Sequence, residues 1–324
     1  MVNGAGPEPK NCLACAAMNT PQSPGPSALS FTACVMAALP PLFWSGNFLI
    51  ARIMHDQIPP IQMSLWRWTL ALIILAPFGL RHLRTHAPRL RQELPFLIML
   101  GGIGITAFNC FIYAALHHTT VVNAALINTL MPVFTFVLAA GILRETLSRR
   151  QAAGIALAVA GAAGIILRGG TGEFSLATLN RGDLLVVGGV IFWALYTVLI
   201  RWRRTGLPLN LFLTVTIFFG VVIHLPFVAW EVATVGGFTP TAQSLGAIVY
   251  FALFPSVAAY ILWNRAVALL GPGRTGMFMY LMPAFSAALG VGFLDEAFRL
   301  YHAVGIALIF AGITLVTRRP KAAT

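Results

Sequence analysis

Two stretches of this chain share one pattern: LMPVFTFVLAAGILRETLSRRQAAGIALAVAG at residues 130–161 and LMPAFSAALGVGFLDEAFRLYHAVGIALIFAG at residues 281–312. They align without gaps, so that Leu-Met-Pro, one glutamate and Gly-Ile-Ala-Leu recur at equal spacing. Earlier in the chain, the pair Phe-Trp at residues 43–44 recurs at residues 192–193. A pattern repeated at so long an interval predicts two halves of related structure.

The composition indicates that much of the surface faces lipid. Of the 324 residues, 58% are hydrophobic and only 9% are charged, and the mean hydropathy is +0.82. A soluble domain carries about 25% charged residues. The net charge of +12 does not indicate a nucleic-acid interface, because the basic residues lie in short groups between apolar runs. The pair Cys12 and Cys15 has no second ligand pair, so we expect no metal site and no cofactor.

Apolar runs of about 20 residues, the length that crosses a bilayer, follow one another along the chain. We predict an all-α integral membrane protein with ten transmembrane helices. The predicted spans are 31–54, 62–80, 94–116, 122–143, 150–168, 182–201, 208–230, 245–266, 274–294 and 300–317. The predicted units are a disordered cytoplasmic tail at 1–29, a five-helix repeat at 30–168, a second repeat at 182–318 and a short tail at 319–324.

The distribution of Lys and Arg predicts the orientation. With the N-terminus in the cytoplasm, sixteen of the 21 basic residues fall in cytoplasmic segments and four in external loops. Basic loops stay on the cytoplasmic side, so both termini are predicted to be cytoplasmic. Because five is odd, the second half must enter the membrane inverted relative to the first. Inverted repeats place a shared site near the midplane and allow alternating access.

The repeated motifs resemble the EamA family of the drug/metabolite transporter superfamily. The resemblance rests on NAALINTLMPVF at 123–134 with the LRETL and GIALAVAG that follow, on their second copy, and on FWSGNF at 43–48. It covers all but the N-terminal tail. It implies a ten-helix metabolite exporter, often of amino acids, and says little about the substrate. Two features depart from the family pattern: a longer tail, and Arg67, which has no basic counterpart in span 7.

Candidate substrate-binding residues are aromatic and amide side chains at repeat-related positions. Spans 1, 3, 6 and 8 each carry an aromatic and a polar or phenolic residue three or four positions apart, as on one helix face. An amide facing lipid is costly, so the asparagines are expected to face the interior. The candidates are Trp44, Asn47, Asn109, Tyr113, Asn128, Trp193, Tyr196, Tyr260, Trp263, Asn264 and Tyr280. The alternative for the set is hydrogen bonding between helices or, for Trp and Tyr alone, an interfacial belt.

Two prolines point to the same region. Pro132 and Pro283 are expected within spans 4 and 9, where each frees a carbonyl four residues earlier and forms a gate or kink. Interrupted helices at corresponding positions of two halves indicate a binding site. Glu145 and Glu296 close the same spans, with Arg149 and Arg299 in reach, and are interpreted as hairpin-orienting residues.

The ionisable groups expected inside the membrane are few. Arg67 and His224 are candidate coupling residues; the alternatives are an interfacial anchor for Arg67, between Trp66 and Trp68, and a packing role for His224. All acidic residues are expected in the tail, in loops or at span ends. Proton exchange through a membrane-buried carboxylate is therefore not expected.

The sequence thus predicts a multi-pass inner (plasma) membrane transporter that exports neutral or zwitterionic metabolites, most of all amino acids with aromatic or apolar side chains. Its partners are a small-molecule substrate and the lipid bilayer. The alternative is a nucleotide-sugar, phosphate-ester or drug carrier of the same superfamily, which for phosphate would need several cavity Lys or Arg residues. A remote alternative is an intramembrane enzyme, for which no catalytic pattern is seen. The oligomeric state, exact substrate and coupling ion stay open.

Overall fold

The computed structural model describes residues 31–54, 57–116, 118, 127–128, 130–166, 181–293 and 300–317, and this part of the chain is helical without strands. The predicted tails at 1–29 and 319–324 and the loop with Glu296 lie outside these residues. The helices are α1 (Phe31–Met54), α2 (Pro60–Leu80), α3 (Leu83–Leu100), α4 (Phe108–Leu116), α5 (Met131–Leu143), α6 (Arg149–Ile166), α7 (Arg181–Trp202), α8 (Leu209–Val235), α9 (Ala242–Phe251), α10 (Ala259–Leu270), α11 (Pro272–Met277), α12 (Leu281–Phe293) and α13 (Leu300–Thr317).

Six described segments are long and apolar enough to cross a membrane. They are Phe31–Ala51, Pro60–Leu80, Leu83–Ile112, Arg181–Trp202, Leu209–Val235 and Ala242–Leu270. Met131–Leu143 and Ala303–Val316 are shorter apolar helices. Large apolar side chains such as Trp230 and Phe254 are exposed on the outer faces, as a lipid-facing surface requires.

Helices of the first half pack mainly against helices of the second. The pairs α2 with α8 and α6 with α13 each join repeat-related helices. Helix α1 of the first half packs against α10 and α12 of the second half. Its counterpart in the second half, α7, packs against α4 and α5 of the first half, which are the counterparts of α10 and α12. Exchanging the two halves therefore leaves this set of helix pairs unchanged.

Two long helices are interrupted at matching positions. A π-helical stretch, Gly101–Ala107, joins α3 to α4, and another, Ala252–Ala258, joins α9 to α10. The second follows the first at the repeat interval seen in the sequence. Pro255 in the second stretch has no N–H to give to the helical ladder, which accounts for the local irregularity there. Such π-helical stretches are often found at functional sites.

Small residues set the distance between α6 and α13. A Cβ on Gly154 would lie 2.7 Å from the carbonyl oxygen of Gly312, and a Cβ on Gly312 would clash with the carbonyl of Gly154. The two helix backbones approach this closely because neither position has a side chain. We interpret this interface as scaffold.

Two features differ from the sequence-based expectation. Helix α3 begins at Leu83 and not near residue 94, so Arg89 and Glu93 lie on a helix. The Glu93 carboxylate is buried and accepts from Nε of Arg203 at 2.7 Å and contacts Arg89 at 3.1 Å. This paired carboxylate ties the middle of α3 to the connection after α7, an arrangement that hydropathy alone does not reveal.

The prolines lie nearer to helix starts than expected. Pro132 is the second residue of α5, where a missing N–H costs little because the first N–H groups have no partner within the helix. Pro283 is the third residue of α12, directly after the 3₁₀ turn Phe278–Tyr280. The backbone irregularity expected four residues before Pro283 is therefore present as this 3₁₀ turn.

Candidate functional site

A small cavity lies where the two halves meet. Its volume is about 70 Å³, and side chains from α1, α2, α4, α5, α7, α10 and α12 line it together with the connections before α5 and α12. We call it the central cavity; its lining residues are Trp44, Asn47, Ala51, Arg67, Phe108, Asn109, Ile112, Asn128, Met131, Trp193, Tyr260, Met279 and Met282.

Aromatic rings form the wall of the central cavity. Trp44 and Trp193 meet edge to face with ring centroids 5.1 Å apart, and Trp193 meets Tyr260 at 5.3 Å. The ring of Phe108 lies 5.1 Å from that of Trp193. Edge-to-face pairs stabilise one another by about 0.5–1.5 kcal/mol beyond their burial. These contacts make a rigid apolar wall that both halves supply.

Hydrogen bonds attach this wall to the two π-helical stretches. The indole Nε1 of Trp44 donates to the carbonyl oxygen of Pro255 at 2.9 Å. The hydroxyl of Tyr260 donates to the carbonyl oxygen of Gly104 at 2.9 Å. Each half thus uses an aromatic side chain to satisfy a backbone carbonyl in the irregular helix of the other. Backbone groups freed inside a membrane protein need such partners.

Two lining residues carry buried polar atoms that have no hydrogen-bond partner among the described residues. They are the indole Nε1 of Trp193, a donor, and the Oδ1 of Asn128, an acceptor. The amide Nδ2 of Asn128 lies 3.9 Å from the sulfur of Met282. Most buried polar atoms in proteins are satisfied, so an unpaired donor and an unpaired acceptor on one cavity indicate a place for a polar ligand.

Arg67 lies inside the protein and lines the central cavity. Only 4% of its surface is exposed, whereas its neighbour Trp66 is 47% exposed. Its Nε donates to the hydroxyl of Ser256 at 3.0 Å, and Nη1 donates to Oδ1 of Asn47 at 3.4 Å. The interfacial-anchor interpretation does not fit this placement, because Arg67 lies inside the protein at the wall of the central cavity.

Three other predicted residues form a layer behind the cavity wall. Tyr196 and Asn264 hydrogen-bond to each other, with the Asn264 amide nitrogen 3.1 Å from the tyrosine oxygen. The same amide donates to the carbonyl oxygen of Tyr260 at 2.8 Å. The indole of Trp263 donates to the hydroxyl of Thr197 at 3.2 Å. Their polar groups thus bind one another and the backbone, and these residues do not line the central cavity.

On the far side of this layer lies a second and larger cavity of about 280 Å³, which we call the basic vestibule. Its lining residues are Ile200, Arg201, Arg203, Arg204, Thr205, Gly206, Leu207, Leu209, Phe212, Asn264, Val267 and Ala268. Asn264 lines the vestibule while Tyr260, one turn earlier on α10, lines the central cavity. Tyr260 in the cavity wall and Asn264 in the layer behind it therefore lie between the two spaces.

The remaining predicted residues lie elsewhere or outside the description. Tyr280 is fully buried in the core between α1, α6 and α13 and does not line the cavity. The side chain of Tyr113 is not among those described. His224 is fully buried 3.8 Å from the sulfur of Cys110, away from the cavity lining. A search of the described residues finds no cluster of three metal-ligating side chains.

Sequence reasoning missed the apolar lining residues and Ser256. Met131 and Met282 occupy the same place in the two repeats, and Asn128 corresponds to Met279. The repeat relation could have found these residues, because a site on a pseudo-two-fold axis is lined by matched positions. Methionine, however, is not polar, and the candidate set was built on polar and aromatic residues.

Comparisons with known proteins agree with these features. The model of the EamA-like transporter family matches residues 31–167 and again residues 180–318. The uncharacterized transporter YyaM of Bacillus subtilis is 29% identical, over 86% of this chain and 92% of its own length. A probable terminal-alkyne amino-acid exporter of Streptantibioticus cattleyicolor is 31% identical, over 85% of this chain and 90% of its own.

Comparisons also support the fold and the location in the inner membrane. A protein of known crystal structure superposes with a TM-score of 0.73 at 21% identity, over 88% of this chain and 96% of its own, which shows a shared fold. The uncharacterized inner membrane transporter YedA of Escherichia coli is 27% identical over 85% of this chain and 87% of its own. The predicted multi-pass inner-membrane location is confirmed by these relatives and by the membrane-spanning helices. The chain is a membrane transporter that belongs to the EamA-like transporter family.

Proposed function

We propose that the protein exports small zwitterionic metabolites, above all amino acids with aromatic or apolar side chains, through the central cavity. The observation that carries this proposal is the composition of the cavity wall. It combines the faces of Trp44, Trp193 and Tyr260 with two buried polar atoms that have no hydrogen-bond partner among the described residues, the indole N–H of Trp193 and the amide oxygen of Asn128. A zwitterion supplies the complementary groups, a carboxylate that accepts and an ammonium that donates. The aromatic and methionine side chains suit an apolar substituent.

We propose that transport occurs by alternating access of two inverted five-helix halves with both termini in the cytoplasm. The helix pairs that stay unchanged when the halves are exchanged support this arrangement, as does the double match of the family model. The position of the central cavity between side chains of both halves supports a cycle in which one half moves against the other to admit the substrate. The three arginines of the basic vestibule support its assignment to the cytoplasmic side.

The phosphate-ester alternative fits the cavity less well. Phosphate recognition inside a membrane protein needs several cations to offset at least one full negative charge and often two. Arg67 is the single cation among the described residues that line the central cavity, and Arg265 on α10 is exposed. The relative named as a probable terminal-alkyne amino-acid exporter also favours an amino acid over a phosphate ester as the substrate.

Counterflow in proteoliposomes tests the proposal. Vesicles preloaded with one unlabelled solute are diluted into labelled solute from a panel of aromatic, branched, small, acidic and basic amino acids together with phosphate esters. We expect exchange of apolar and aromatic amino acids, and no exchange in vesicles without protein. Recovered solute is checked by mass spectrometry, and chemical change of any solute would favour the enzyme alternative. Exchange of phosphate esters alone would contradict the proposal.

A further inference from the structure

A buried arginine on the cavity wall needs an explanation that packing does not give. Arg67 lies seven residues into α2, about 10 Å along the helix from its start at Pro60. A charged side chain at that depth is costly, and residues of this kind in membrane proteins usually serve a substrate or ion path. Its position in the second repeat is taken by Thr216, so the charge is not part of the symmetric scaffold.

The guanidinium is held by groups from both halves of the protein. Ser256 belongs to the second π-helical stretch; its hydroxyl donates to the carbonyl oxygen of Phe251 at 2.8 Å, which leaves its lone pairs to accept from Nε of Arg67. Asn47 on α1 accepts from Nη1. The guanidinium carbon lies 4.9 Å from the ring centre of Trp68, on which the planar group can rest. Three elements therefore fix the direction of one cation at the cavity wall.

The charged and polar groups that line the central cavity determine which kind of substrate group Arg67 can bind. Among the described lining residues there is no carboxylate, and Arg67 is the one cation. The unpaired indole N–H of Trp193 lines the same space and offers a second donor to an anionic group. A planar guanidinium binds a carboxylate through two parallel hydrogen bonds, a geometry that an amide or an alcohol cannot reproduce with equal strength.

From this geometry we propose that Arg67 binds the substrate carboxylate and selects for the free acid, with Ser256 as the residue that positions the guanidinium. The assignment rests on the proposed amino-acid function and goes beyond it by naming the group that one side chain recognises. The acceptor on Asn128 then takes the ammonium, and the two tryptophans take the side chain. A solute that has the ammonium and the side chain without the carboxylate is a poor substrate.

Matched solutes test this assignment. L-phenylalanine and L-phenylalanine amide differ only at the group that Arg67 is proposed to bind. We expect wild-type proteoliposomes to exchange phenylalanine at least about tenfold better than the amide, because hydrogen bonds to a charged partner carry that much discrimination. Arg67→Gln should lower phenylalanine exchange about tenfold and bring the preference for it over the amide to within about twofold. Arg67→Lys keeps the charge without the planar fork and should give an intermediate preference.

Control variants separate recognition from folding. Arg91→Gln removes an exposed arginine on α3 and should leave the preference unchanged. If Arg67→Gln does not fold, Ser256→Ala and Arg67→Lys decide, and each should reduce the preference about threefold or more. An unchanged preference in the folded Arg67 variants and in Ser256→Ala would overturn the assignment. Wild-type protein that exchanges no amino acid on the panel would instead overturn the proposed function, a result visible before any variant is made.

Discussion

Trp44 and Trp193, which hold the same place in the two repeats, touch each other edge to face with their ring centroids 5.1 Å apart. Both line the central cavity together with other side chains from the two repeats, so neither half can form the cavity alone.

This pair gives the first prediction. Trp44→Phe and Trp193→Phe should each weaken substrate binding about fivefold, because loss of the indole reduces the aromatic contact by roughly 1 kcal/mol. The comparison variant is Trp230→Phe, whose side chain is 62% exposed on the outer face of α8. Concentration-dependent counterflow measures the effect. Equal affinity in the cavity variants and in Trp230→Phe would argue that the cavity wall does not contact the substrate.

The second prediction concerns two glycines in the first π-helical stretch. A Cβ on Gly104 would clash with the ring of Tyr196, whereas the nearest atom to a Cβ on Gly102 is 3.5 Å away, an ordinary contact. Gly104→Ala should therefore displace Tyr196 and open the layer between the central cavity and the basic vestibule. We expect Gly104→Ala to lose at least about 90% of counterflow, as overpacking by even one methyl is poorly tolerated, and Gly102→Ala to keep most of it.

Accessibility labelling checks whether Gly104→Ala loses counterflow because the layer between the two cavities has opened. A cysteine at Ile112 lines the central cavity, beyond the layer, so its reaction with a small maleimide added from the vestibule side reports the opening. The Gly104→Ala variant should label faster than the Gly102→Ala variant. Similar transport and labelling in the two variants would show that the layer does not control access.

A third prediction addresses the scaffold between α6 and α13. Gly154→Ala should lower the melting temperature of the purified protein by several degrees, because the added methyl would be forced against the backbone of Gly312. Gly164→Ala on the same helix meets nothing within 4 Å and should leave it unchanged or slightly raised, since alanine favours helix. Thermal unfolding in detergent is the measurement. Equal shifts of the melting temperature in both variants would mean that the close approach of α6 and α13 does not limit the stability of the protein.

The fourth prediction concerns orientation. Gln57 lies between α1 and α2, and Arg204 lies in the repeat-related connection between α7 and α8; both are exposed. If the halves are inverted, these two connections lie on opposite sides of the membrane. In a background without native cysteines, Gln57→Cys should react with an impermeant maleimide added outside intact cells, and Arg204→Cys should react only after lysis. Labelling of both from one side would contradict the inverted arrangement.

The last prediction concerns energy coupling. No carboxylate is found among the described residues that line the central cavity, and His224 is buried beside Cys110, away from that lining. Counterflow should therefore continue when an ionophore collapses the proton gradient, and His224→Gln should behave like the wild type. Counterflow that stops on collapse in the wild type but survives in His224→Gln would instead identify the histidine as the coupling residue.

The sequence by itself determined the membrane class, the internal repeat and the family. Hydrophobic runs and basic connections are properties of neighbouring residues, and the recurrence of LMP and GIAL needs only the linear order. It also supplied Trp44, Asn47, Asn109, Asn128, Trp193 and Tyr260 as candidates, because aromatic and amide residues at helical spacing inside apolar spans are few.

Only the tertiary structure decided which of the candidates share one space. Tyr196 and Asn264 satisfy each other and form a layer behind the wall, a result that depends on how α7 meets α10. The burial of Arg67 depends on the contact of α2 with the second π-helical stretch, and its flanking tryptophans gave no sign of this. Whether a polar side chain faces a cavity, a partner or lipid depends on the rotation of each helix against its neighbours. That rotation is fixed by packing between distant segments such as Gly154 and Gly312, which spacing along the chain does not encode.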